Sequence, residues 1–201
     1  MAEPKYTLDK IEAILVKGDM RGVEFQFKLL SLLLIYYELL KSKIIDRTKS
    51  FLSDKFSIDD NGEIVTEPSD KYLDLIRGKG EFRACRDYHL RLGAITTDDD
   101  LLIDKFSAER NRCAHEVLKI LLDDRATEID FELLFGGVAL FNKIDNWWIV
   151  KFEMEIDPDF LPEGADREKA EKGAASLQAI ILANLIAKLF NLDDLKKSSD
   201  T

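Results

Sequence analysis

The chain has 201 residues, 46% hydrophobic and 34% charged, which suits a soluble globular protein with a sizeable core in a single domain. A formal net charge of −10 argues against a protein that grips nucleic acid with its whole surface. The opening Met1-Ala2-Glu3-Pro4-Lys5 has no basic region running into an apolar stretch, so no secretion signal is expected and the cytoplasm is the expected location.

In chain order, a short helix is expected over about 8–17, followed by Gly18 and Gly22, and then a long helix over about 23–50. Its middle, Leu29 to Tyr37, is apolar all round, which marks a central buried helix or a dimer face. A membrane span needs about 18 or more apolar residues, and Glu24, Lys28, Glu38 and Lys41 hem this stretch in, so no membrane partner is expected. Tyr36 and Tyr37 have the chemistry to stack bases, but at this spacing core aromatics with a polar tip are the better reading.

Phe56 to Val65 joins two apolar runs through Asn61-Gly62, a strong hairpin signal. The same stretch imitates a calcium loop. Pro68 stands where a bidentate Glu is needed and Ser57 where the first Asp should be, so that reading is rejected. Ser69 or Asp70 should cap a helix over 70–77, and a second helix over 81–92 should end at Gly93 in a left-handed cap. Thr96-Thr97-Asp98-Asp99-Asp100 should cap a long helix over 98–123; adjacent aspartates at a helix start do not converge on a metal.

After Asp123-Asp124 a helix is expected over 128–141, leading through Asp145-Asn146 to a strand. Alternation of Trp148, Val150, Phe152, Met154 and Ile156 gives that strand one buried face, a candidate to pair with the hairpin near residue 60. Pro158 and Pro162 end it, and Ala165 to Phe190 should form one long helix. The domain is expected over 1–192, with 193–201 a disordered tail. Cys85 and Cys113 lack metal-ligand spacing and are expected as reduced thiols filling the core.

The chemistry concentrates in Glu109-Arg110-Asn111-Arg112-Cys113-Ala114-His115-Glu116. At roughly 3.6 residues per turn, the apolar stripe Phe106, Cys113, Val117, Ile120, Leu121 contains Arg110, and a guanidinium seldom sits on a core face without a reason. His115 shares a neighbouring face with Ala108, Asn111, Leu118 and Leu122, so Asn111 lies one turn before it. An imidazole and a fixed cation are what metal-free RNA cleavage needs. The 2′-hydroxyl must lose its proton, and the negative charge gathering on the phosphorane must meet a cation. The plainer alternative pairs Arg110 with a buried carboxylate and makes His115 an interface residue. Arg77, Lys79, Arg83, Arg86, Arg91, Arg110 and Arg112 cluster in this region, so Arg83, Arg86 and Arg112 are candidates to bind substrate in a local basic groove, or else line solvated helix faces. No metal site and no cofactor are expected: the cysteines and histidines lack ligand spacing, and no glycine-rich phosphate loop supports a nucleotide sensor.

Arg110-Asn111-x-x-Ala114-His115 resembles the Arg-x4-His motif of the HEPN superfamily. The preceding Gly80-x-Phe82-x-Ala84, Leu90-x-Leu92-Gly93-x-Ile95 and acidic linker resemble its helical hairpin, which is also similar to that of the mannitol repressor family; the likeness covers about residues 80–122. The resemblance implies a mainly α, HEPN-like helical bundle with a small β-hairpin or strand element, dimerised so that the motif helices face each other. It implies a metal-independent RNA endonuclease of toxin–antitoxin or abortive-infection type, acting on single-stranded regions, with an antitoxin or regulatory protein as a further partner. Arg110 would then hold the scissile phosphate, His115 act as general acid/base, and Asn111 position either one. Some toxins of the superfamily carry a Tyr two residues after the His; this chain has Val117, so regulation through that Tyr does not transfer. The alternative that the resemblance keeps open is a non-catalytic regulatory or protein-interaction module similar to the mannitol repressor family.

Overall fold

The computed structural model describes residues 21–58, 61–62, 64–122, 129–157, 161 and 165–189. The expected helix at 8–17 and the tail at 193–201 lie outside them. The described chain is mainly α-helical, with one two-stranded sheet.

Helix α1, Arg21–Leu52, follows from a run that carries neither Gly nor Pro after Gly22, supported on its surface by Lys28 paired to Glu24 at 2.9 Å. Its middle is largely buried as expected: Leu29, Leu30, Leu32, Leu33, Tyr36 and Tyr37 are in the core, while Ile35 is 44% exposed. Each such side chain contributes roughly 1.5–3 kcal/mol on leaving water. The helix stops where Ser69 reaches it. The Ser69 hydroxyl donates to the Leu52 carbonyl, an acceptor left without a helical partner, and in turn accepts from the Tyr72 amide at 3.2 Å. One side chain thus closes α1 and caps α2, Asp70–Ile76, as the Pro68-Ser69-Asp70 pattern predicts.

Between those helices, β1 (Lys55–Ile58) and β2 (Ile64–Glu67) pair antiparallel from Lys55↔Glu67 to Ile58↔Ile64. The turn places Gly62 at φ +82°, a left-handed conformation that costs glycine little. Helix α3, Glu81–Leu92, ends as expected at Gly93, φ +75°, whose amide returns to the His89 and Leu90 carbonyls. Helix α4, Thr97–His115, starts in a capping box: the Asp99 amide donates to Thr96 Oγ1 at 3.3 Å, and the Thr96 amide to Asp99 Oδ2 at 2.7 Å. The expected single helix to 123 is instead bent at Glu116. Helix α5, Val117–Leu122, continues from it, and the bonds Glu116 N to Arg112 O and Ile120 N to Glu116 O, both 2.9 Å, carry the helical pattern across the bend.

Helix α6, Phe131–Trp148, overturns the expected strand. It runs directly into a π turn, Ile149–Glu153, and a last helical turn, α7, Met154–Ile156. Burial does not alternate along this stretch: Ile149, assigned by alternation to the outer face, is buried at 5% exposure, while Ile156, assigned inward, is 76% exposed. Asp145-Asn146 does not break the helix because both side chains are engaged elsewhere, and continuing an existing helix adds a hydrogen bond per residue without a new nucleus.

Those two side chains also explain a second correction. The expected continuous helix from Ala165 is two, α8 (Arg167–Gly173) and α9 (Leu177–Leu189). Asn146 Nδ2 donates to the Glu171 and Ala174 carbonyls at 2.8 and 3.0 Å, closing α8. Asp145 Oδ2 accepts from the Ser176 amide at 2.8 Å, and Ser176 Oγ accepts from the Ala179 amide at 3.2 Å, opening α9.

The chain groups into two compact units, Met1–Leu39 with Leu101–Val138, and Leu40–Asp100 with Ala139–Thr201. In the first, Ile103, Phe106 and Cys113 of α4 are fully buried, and Gly137 of α6 is a close approach: a Cβ there would lie 2.4 Å from Phe106 Cε1. In the second, Ile44, Cys85, Phe141 and Ile144 are fully buried around the buried polar residues Thr48, His89 and Asp145. Both cysteines are free and buried. Burial raises both thiols, Cys113 to about 11, so they stay protonated and unreactive near neutral pH. Among the described residues, no helix is long and apolar enough to cross a membrane.

Candidate functional site

The candidate site belongs to the first unit. Tyr37, 8% exposed, is the core aromatic with a polar tip that its spacing suggests: its ring meets Phe106 edge-on at 5.8 Å and its hydroxyl donates to Ser107 Oγ at 3.1 Å. This contact fixes α4 against α1 one turn before Arg110. The Arg110 guanidinium lies 5.6 Å over the Tyr37 ring, which explains how a cation sits in the apolar stripe: the ring face receives it. Its NH2 donates to Glu38 Oε1 at 2.6 Å and its NH1 to Asn111 Oδ1 at 3.2 Å, while Nε is buried without a partner among the described residues.

His115 is the last residue of α4 and is exposed, as are Ala108, Asn111 and Leu118 on the face assigned to them, with Leu122 half-buried. Neither ring nitrogen of His115 has a hydrogen-bond partner among the described residues. Five residues of helix turn the two side chains by about 140°, so within one chain Arg110 faces Tyr37 and Glu38 while His115 faces solvent. Asn111 sides with Arg110 rather than with the imidazole.

The other histidine is differently placed. His89 in the second unit is fully buried; its Nδ1 lies 3.0 Å from the Cys85 carbonyl, which only a proton on Nδ1 can bridge. Nε2 then accepts from Trp148 Nε1–H at 3.0 Å. Desolvation lowers its pKa to about 4, outweighing the bond to the Cys85 carbonyl, and holds it neutral.

Of the arginines proposed to bind substrate, Arg112 is tied bidentately to Glu109, with bonds of 2.8 and 2.6 Å. That pairing lowers the Glu109 pKa and raises that of Arg112. Arg86, in the second unit, has its guanidinium locked at the start of α4: Nε donates to Asp100 Oδ1 at 2.7 Å and NH2 to the Asp100 carbonyl at 2.9 Å. Arg83 is exposed and has no ion pair among the described residues. Arg77 and Lys79 pair with Asp74 and Asp87 at 2.7 and 3.0 Å, and Arg91 lies over Tyr88. The run of basic residues is therefore interleaved with carboxylates supplied by its neighbours. Sequence reasoning missed Glu38. The available signal was a lone carboxylate next to Tyr36-Tyr37 at the end of an otherwise apolar run.

Fold and side chains together define a mainly α-helical protein whose helix α4 carries a surface imidazole with no partner among the described residues and a half-exposed guanidinium seated on the Tyr37 ring. No family model, no curated protein and no solved structure matches this chain.

Proposed function

We propose that the chain is a metal-independent RNA endonuclease of HEPN type, of the toxin–antitoxin or abortive-infection kind. The observation that supports it best is the contrast between its two histidines. His89 has both ring nitrogens engaged and is held neutral, whereas His115 is exposed with neither engaged among the described residues, leaving it as the group able to move a proton. In this reading Arg110 turns from Glu38 to a phosphate, Asn111 steadies it, and Arg112 extends the contact to single-stranded RNA. One imidazole cannot act as base to the nucleophile and acid to the leaving oxygen at once. A homodimer bringing two α4 helices together supplies the second imidazole and guanidinium. An antitoxin or regulatory protein would then cover the same face.

A second reading, a non-catalytic regulatory or protein-interaction module, is favoured by one observation: Arg110, Arg112 and Arg86 are all neutralised by carboxylates in a chain of net charge −10. One experiment separates the two. Matched RNA and DNA oligonucleotides are incubated with the protein, with and without chelator, and the ends mapped by mass spectrometry. The ribonuclease reading expects chelator-resistant cleavage of RNA alone, leaving 2′,3′-cyclic phosphate and 5′-hydroxyl ends. It also expects His115→Ala to lower the rate by about a hundred- to ten-thousand-fold. Metal-dependent cutting with 5′-phosphate ends overturns it, and absence of cleavage in a folded dimer moves the regulatory reading ahead.

A further inference from the structure

The chain's two tryptophans, Trp147 and Trp148, meet Phe152 where α6 enters the π turn, and Phe51 from the end of α1 joins them. Ring centroids lie 4.6 Å apart for Phe51 and Phe152, 4.7 Å for Trp148 and Phe152, and 5.5 Å for Phe51 and Trp148. The π turn builds this cluster. Met154 N–H bonds back five residues to the Ile149 carbonyl, and the wider turn lets Phe152 touch both Trp148 and Trp147, the latter at 5.4 Å; residues five apart on an α-helix point about 140° from each other. Such insertions are rare and concentrate at functional sites.

Over these rings opens a pocket of about 390 Å³, lined by Arg47, Ser50, Phe51, Trp148, Phe152 and Ile156. Its volume lies within the range of small-molecule sites, roughly 300–1,000 Å³. Its walls remain apolar and partly open to solvent: Phe51 is 42% and Ile156 76% exposed. Two polar groups border it. Ser50 has a hydroxyl with no partner among the described residues, and Arg47 keeps free donors after giving NH1 to Glu153 at 2.7 Å. The guanidinium's charge is already met by Glu153 and by Asp145 at 3.7 Å, so the mouth offers planar hydrogen-bond donors without excess positive charge.

We propose that this pocket binds a nucleobase, as a free nucleoside or on single-stranded RNA. A flat heteroaromatic ring is the occupant that uses each feature: it stacks on aromatic faces, its polar edge meets Ser50 and Arg47, and its neutrality suits a mouth whose charges cancel. The pocket lies wholly in the second unit, and the inference does not rest on Arg110 or His115.

The pocket carries its own reporter, because Trp148 lines it and the chain's other tryptophan, Trp147, meets Trp148 at 5.2 Å. Adenosine and uridine are titrated into the intact protein while tryptophan fluorescence is followed, with N-acetyl-leucine amide as the aliphatic comparison. Saturable quenching by a nucleoside, unchanged between low and high salt, is expected. Phe152→Leu keeps apolar volume and removes the ring, and should weaken binding roughly 5- to 150-fold, the usual worth of one base–aromatic stack. Circular dichroism confirms that the variant is folded, and Ser50→Ala should change the ratio of adenosine to uridine affinity without abolishing binding. Oligouridine competing with uridine identifies RNA as the source of the base, and failure to compete identifies a free nucleoside. No quenching at millimolar nucleoside, equal binding of the leucine amide, or a folded Phe152→Leu protein that binds as well as the parent overturns the proposal. RNA cleavage is not a readout of any arm, so the outcome is independent of the ribonuclease reading.

Discussion

Acidifying the protein from pH 7.5 to 4.5 is expected to remove about 2–3 kcal/mol of stability through His89 alone. Its imidazole is fully buried, donates from Nδ1 to the Cys85 carbonyl and accepts at Nε2 from Trp148, so a second proton on Nε2 would point at a donor, the Trp148 N–H. Burial accordingly lowers its pKa from 6.5 to about 4. Between those values the unfolded chain binds the proton and the folded chain does not. The contribution is therefore fully present above pH 6.5, declines as pH falls, and stops declining below about 4, where the folded state also protonates. At about 1.4 kcal/mol per pH unit, the full span corresponds to about 3 kcal/mol, a sizeable fraction of the 5–15 kcal/mol that typically holds a domain together. Asp99, Glu109 and Asp145 also have lowered pKa values and lose stability in the same direction, at more acid pH. A His89→Gln variant isolates the histidine. Urea unfolding at several pH values should show the variant less stable at pH 7.5 and with a flatter dependence between 6.5 and 4.5. The chain has two histidines, so imidazole NMR resolves them directly. A His89 resonance titrating near 6.5, or a variant with the parent's pH dependence, refutes the argument.

Asp145 is fully buried, bonds Lys43 Nζ at 2.7 Å and the Ser176 amide at 2.8 Å, and is held below the usual carboxylate range by these partners against burial. Asp145→Ala removes the partner of both Lys43 and the Ser176 amide at the start of α9, and should cost about 3–5 kcal/mol by urea unfolding; a double variant that also replaces Lys43 with Met should recover part of the loss. Gly137→Ala drives a methyl into the buried Phe106 ring and should cost about 1–3 kcal/mol in thermal unfolding, with Phe106→Leu relieving it. Glu38→Gln breaks an ion pair whose side chains are 34% and 49% exposed, so stability should change by less than about 1 kcal/mol. In the ribonuclease reading the released Arg110 should raise RNA affinity in a filter-binding assay; unchanged affinity in a protein that cleaves RNA would show that Arg110 does not meet the phosphate.

Features held by local bonding were legible in the sequence. The Ser69 cap, the Thr96–Asp99 capping box, the left-handed Gly93, the hairpin around Asn61-Gly62 and the span of α1 each involve side chains and amides a few residues apart. In the candidate site, the helix phase grouped His115 with Ala108, Asn111 and Leu118 and placed Arg110 in an apolar stripe, since both follow from periodicity; that the first group is exposed came from the structure. Tertiary structure decided whatever depended on distant partners. Glu38 neutralises Arg110 across 72 positions, Asp145 meets Lys43 across 102, and Trp148 bonds His89 across 59. The same holds for secondary structure itself. Alternation from Trp148 to Ile156 suits a strand as well as a helix, but a strand needs a neighbouring edge for its backbone bonds; the only ladder among the described residues joins β1 to β2, and the chain there stays helical. The break between α8 and α9 follows the same rule. Ser176 supplies a local cap for α9, but the groups that satisfy the Glu171 and Ala174 carbonyls and the Ser176 amide, Asn146 and Asp145, arrive from α6, and only folding brings them there.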